Sequence, residues 1–128
     1  MMAPIIPYIN DHEIESLLAK IKEKGATRTS YTLLRLPYKI KQLFSDWLHE
    51  HYPGRAKKVL NIIRDSHGGK LYNSEFGTRM TGQGQYPLLI RQRFRKAIKD
   101  NDLNAVDRVS LRRDLFNAAY IGGQMGLF

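Results

Sequence analysis

The chain has 128 residues, 21 Lys and Arg against 12 Asp and Glu for a formal charge of +9, and no cysteine. That length suits one domain with a modest core. Without thiols there can be no disulfide, no thiol nucleophile, no Cys-ligated zinc and no iron–sulfur cluster held by this chain's own cysteines.

Nor does any apolar run approach the roughly 20 residues of a membrane-spanning helix, so no membrane partner is expected. The first residues, MMAPIIP, carry neither a basic leader nor a signal-length apolar stretch, which points to the cytoplasm. Residues 3–9 (APIIPYI) are β-branched, aromatic and proline-punctuated, as in a short buried strand ending in a turn, and Asn10 or Asp11 is a good helix cap. Ile14, Leu17, Leu18 and Ile21 then recur at helical spacing, predicting a helix over 11–24 that ends at Gly25. Residues 30–36 (SYTLLRL), stopped by Pro37, read as a second strand.

Beyond Pro37 the period is helical. Ile40, Leu43, Phe44, Trp47 and Leu48 are expected on one face of a helix over 38–51, and Ala56, Val59, Leu60 and Ile63 mark another with Pro53 in its first turn. Residues 70–85 (KLYNSEFGTRMTGQGQ) show no period and read as a long loop. Tyr86, Ile90, Phe94, Ala97 and Ile98 define a last helix with a basic remainder, and the stretch from Asn101 is weakly patterned. Two parallel strands make a poor independent sheet, so an open edge along 3–9 and a larger parent fold are expected.

In order, PIIPYIND, RLP, HYPGRA, GGKL and FGTRMTGQG resemble the C-terminal half of bacterial radical S-adenosylmethionine proteins distantly related to spore photoproduct lyase. The likeness covers roughly residues 2–100. It implies an α/β fold: the last β-α-β portion of a partial (β/α) barrel over 1–37, a mostly helical extension over 38–100, and a tail over 101–128.

In that family three cysteines of a Cys-x-x-x-Cys-x-x-Cys loop hold a [4Fe–4S] cluster that cleaves S-adenosylmethionine to a radical. The loop is absent here, so the resemblance implies a missing N-terminal cluster-binding half and a chain inactive alone, with a link to DNA repair. It also places Pro7, Tyr8, Asn10 and Arg35 at the barrel mouth beside the cofactor. Tyr8 stands where the family pattern usually has glycine. Read on their own, Ile5, Ile6 and Ile9 are equally plain core and Asn10 a plain cap.

The alternative is a non-catalytic basic module that associates with DNA or RNA. Lys70 and Arg79, among Tyr72, Phe76 and Tyr86, form a mixture of cations and aromatics suited to bases and phosphates, or else aromatics that pin the loop to the body. Arg91 and Arg95 extend the basic surface along the last helix. The terminal residues Gln124, Met125, Leu127 and Phe128 resemble the peptide by which bacterial repair proteins dock on the DNA sliding clamp. His49 and His51, two apart on a helix, diverge too far to chelate one metal, and His12-Glu13 does not continue into the zinc-protease pattern.

Overall fold

In a computed structural model, residues 1–105 and Asp114 are described. Strand β1 (Met2–Ile5) leads through a 3-10 turn (Asp11–Glu13) into helix α1 (Ile14–Glu23), followed by strand β2 (Tyr31–Leu33). Helices α2 (Ile40–His51), α3 (Pro53–Ser66) and α4 (Gln85–Asp100) complete the order. The strands pair in parallel, with Met2 opposite Tyr31, Ile5 opposite Leu33 and an irregular register between. No described helix is long and apolar enough to cross a membrane.

The sheet is covered on both faces, which is why its strands read as continuous apolar runs. Ile5 and Leu33 join Ile14 and Leu18 of α1 and Ile90 and Phe94 of α4 in one buried cluster. Their neighbours Ile6 and Leu34 pack against the other, built from Leu36, Leu48, Val59 and Ile63. Successive strand residues point to opposite faces, so two small cores share one pair of strands.

Polar ties close the first face. Arg93 of α4 makes a two-pronged hydrogen bond to the Glu15 carboxylate of α1, at 2.9 and 2.7 Å. Past α4, Leu103 is buried, and the Asn104 amide both accepts from Thr29 N at 2.7 Å and donates to Thr29 O at 3.0 Å. Leu103 and Asn104 therefore pack against the body. Helix α4 lies on the β1-α1-β2 unit.

The strands are shorter than expected. β1 stops at Ile5 because the chain turns at Pro7 and Tyr8, the latter in the left-handed region (φ 57°). The Asn10 side chain then reaches back: its Oδ1 accepts from Ile6 N at 2.8 Å and its Nδ2 donates to Pro4 O at 3.0 Å. Between them, the Ile5 carbonyl accepts from Leu34 N on the β2 side. The Asn10 amide thus takes the place a neighbouring parallel peptide would hold on the outer edge of β1. On the far edge of the sheet, Leu33 N donates to Met80 O at 3.0 Å. The expected open edge is therefore sealed at residues 4–6.

Helix α2 buries only part of its apolar face. Leu48 is buried and Phe44 half-buried, but Ile40, Leu43 and Trp47 lie toward solvent rather than in the core.

Candidate nucleic-acid interface

Gly82, Gln83 and Gly84 steer the chain out of the long loop into α4, and their backbone demands glycine at two of the three positions. A Cβ on Gly82 would stand 3.0 Å from Pro87 Cγ and 3.1 Å from Ser66 O, with φ already at +67°. Gly84, at φ 92° and ψ −171°, occupies a region essentially reserved for glycine and precedes the first turn of α4. Gln83 N donates to Ser66 O at 2.9 Å, fastening this turn to the end of α3.

Two hollows flank that turn. The larger, about 580 Å³, is an open groove lined among others by Tyr8, Ile62, Asp65, Gln83, Tyr86 and Leu89. The smaller, about 320 Å³, is lined by Gly82, Gln83, Gly84, Leu88 and Arg91. At the Tyr8 rim, Arg55 Nη1 donates to the Tyr8 carbonyl at 3.0 Å and Lys58 Nζ sits 4.0 Å from the ring centroid. Cations therefore stand at both ends, Arg55 and Lys58 at one and Arg91 at the other. The first turn of α4 between them carries no acidic residue and no side-chain cap, so its free N–H groups add a partial positive charge.

Within the groove, Tyr86 Oη donates to Asp11 Oδ2 at 2.9 Å. Burial first, and then the adjacent carboxylate, hold the phenol well above its ordinary pKa, so it remains a neutral donor.

The cations of α4 divide by face. Arg93 pairs with Glu15, and Lys96 pairs with Asp100 one turn on. These contacts raise the pKa of each cation and lower that of Glu15. Arg91, Arg95 and Lys99, at i, i+4 and i+8, share the other side and have no ion-pair partner among the described residues. Half-exposed Leu88 lies on the same side.

Of the residues singled out from the sequence, Arg91 borders the smaller hollow and Arg95 follows it on the same stripe. Arg79 stacks over the exposed ring of Phe76 at 5.3 Å, so this pair stands out from the body instead of pinning the loop. Lys70 is exposed just past the end of α3. Tyr86 turns to Asp11 and away from a stacking role with them.

At the expected cofactor mouth, Tyr8 lines the groove, but Pro7 is buried and the Asn10 amide is engaged at the strand edge. Arg35 lies two residues past β2, half-buried, and does not line the groove. Gln124, Met125, Leu127 and Phe128 lie outside the described residues.

Arg55, Lys58 and the Tyr86–Asp11 pair were not singled out from the sequence. The i, i+3 spacing of Arg55 and Lys58 on one side of α3 is visible there, whereas their meeting with Tyr8 depends on the turn at residues 7–10. No family model matches the chain, and neither curated proteins nor solved structures give a match.

Proposed function

We propose that this chain is a basic, nucleic-acid-associated module that binds the backbone of a single strand without chemistry of its own. The observation that carries the reading is the stripe Arg91, Arg95 and Lys99, without an ion-pair partner among the described residues, beside the Gly82–Gly84 turn, on a helix whose other cations are neutralised by acids. Phosphates meeting that stripe release condensed counterions, which makes binding tolerant of sequence and steeply dependent on salt. Arg79 on Phe76, with Lys70 nearby in the chain, offers a stacking platform of the kind such proteins use.

The test is fluorescence anisotropy with a short single strand over a series of salt concentrations. Replacing Arg91, Arg95 and Lys99 together by Ala is expected to flatten the logarithmic salt slope by about 2, at roughly 0.7 per lost phosphate contact. Binding that ignores salt, or a triple variant that binds like the parent, would overturn the proposal. The terminal peptide belongs to the same reading. Deleting residues 124–128 is expected to abolish binding to a bacterial sliding clamp while leaving the thermal melt unchanged.

Two observations favour a second reading, the C-terminal part of a radical S-adenosylmethionine enzyme. The parallel β1-α1-β2 unit is the repeat of a (β/α) barrel. Tyr8 also takes a left-handed backbone where the resembling proteins carry glycine, the residue that pays least for it. The chain's own residues do not fit the cluster, since it has no cysteine, and the Asn10 amide is not free for a cofactor. On this reading anaerobic reconstitution of the chain alone gives no cluster absorbance, and activity appears only with a polypeptide that supplies the three-cysteine loop. A stoichiometric cluster on this chain alone would reject it.

A further inference from the structure

Helix α2 presents an apolar stripe that is left exposed among the described residues. Ile40, Leu43 and Trp47, at i, i+3 and i+7, are 50%, 70% and 36% exposed. A row of this kind along one helix is unusual on a small charged chain. Trp47 is nevertheless held in place. Its ring contacts Phe44 at 5.7 Å, Tyr52 at 5.4 Å and His51 at 5.5 Å between centroids. An ordered, part-exposed tryptophan loses little freedom on docking, and tryptophan is the residue most enriched at the centres of interfaces.

The charges beside the stripe indicate what covers it. Lys39, whose backbone is already helical, and Glu50 lie on the same flank by helical spacing, about three turns apart. Neither has a partner among the described residues, and both are exposed. The midpoint between Lys39 and Glu50 falls at residues 44–45, within the span from Leu43 to Trp47 where the apolar stripe is centred.

We propose that α2 pairs with α2 of a second copy of this chain, antiparallel about a two-fold axis near residues 44–45. In that arrangement Leu43 and Trp47 of the two copies interdigitate, and each Lys39 meets the other copy's Glu50. A parallel pairing about a two-fold would carry this flank to the opposite side of the seam in the second copy, so that Lys39 and Glu50 of the two copies would not meet. The isologous antiparallel form is therefore the one in which apolar and charged features both match. One helix face per copy is well below the roughly 800 Å² per partner of standard stable interfaces, so the association is weak and dependent on concentration. This inference does not depend on nucleic-acid binding.

Sedimentation equilibrium of the full chain, free of nucleic acid, tests it. The apparent mass is expected to rise from monomer toward dimer with concentration. Leu43→Glu is expected to hold the chain monomeric throughout, with its thermal melt unchanged because Leu43 is not in either core. Lys39→Glu and Glu50→Lys should each weaken dimerisation about five-fold by setting like charges together. The double variant, which restores opposite charges across the axis, should return to within about two-fold of the parent. A parent chain that stays monomeric at every concentration overturns the proposal and leaves the stripe to a different partner. So does a dimer indifferent to Leu43→Glu, which would move the contact to another surface, or a double variant that fails to recover.

Discussion

The two faces of the sheet are held by different means. The α1–α4 face draws its core from both ends of the described chain and is tied shut by Arg93–Glu15, Tyr86–Asp11 and Asn104–Thr29, each linking residues more than seventy positions apart. The α2–α3 face is a local hairpin of consecutive helices, joined to the rest through Arg55 at the Tyr8 carbonyl and Gln83 at Ser66. Where long-range ties close the surface, α4 offers a basic stripe with half-exposed Leu88 beside it. Where packing is local, α2 keeps apolar side chains outside. What each face leaves exposed thus follows from how it is closed.

The sharpest test of that contrast is a matched pair of core truncations. Phe94→Ala is expected to cost about 3–5 kcal/mol and Leu48→Ala about 2–5 kcal/mol in urea unfolding. Native-state hydrogen exchange should separate them further. Loss of Phe94 should lower protection across the whole body, whereas loss of Leu48 should act chiefly on α2 and α3, the unit that opens at lower free energy. Equal loss everywhere for both would erase the distinction.

Two single hydrogen-bond variants come next, the first of them Asn10→Asp. The carboxylate can still accept from Ile6 N but cannot donate to Pro4 O, for an expected loss of about 1 kcal/mol. Tyr86→Phe removes one donor to Asp11 and is expected to cost a similar or slightly larger amount, about 1.5 kcal/mol, because that acceptor is charged.

The smallest effect is a pH dependence. The hydrogen bond from Arg93 is the main cause holding the Glu15 carboxyl below its ordinary pKa of 4.5. A depressed folded value means that the contribution is complete above that ordinary value and lost as pH falls through the lowered one. The pair is largely solvated, so the expected gain is about 0.5 kcal/mol. Melts of the parent and of Glu15→Gln should differ at pH 7 and converge as the pH falls below 4.5.

The helices were legible in the sequence because their apolar periods survive burial, and α1, α3 and α4 fall close to where that spacing puts them. The strands were less so, since β1 ends where a side chain replaces a neighbouring strand, and no period records that. Spacing put Ile40, Leu43, Phe44, Trp47 and Leu48 on one face of α2, but periodicity reports an apolar face without saying what covers it, and only Phe44 and Leu48 turn inward. At the site, Arg91 and Arg95 were visible as helix positions. That their neighbours Arg93 and Lys96 are neutralised, one by a residue of α1, became evident only with the helices packed.

The Asn10 amide has a further consequence for any strand that would join this sheet. An incoming parallel strand must displace that side chain, and at Pro4 and Ile6 it exchanges two hydrogen bonds for two of the same kind. At those positions the exchange is close to isoenergetic, so the backbone supplies almost no net drive for strand addition. A partner on this edge must win by what its side chains bury. An unselective β-segment, able to offer only its backbone, meets a competitor already in place and tethered at an effective concentration that no free strand matches.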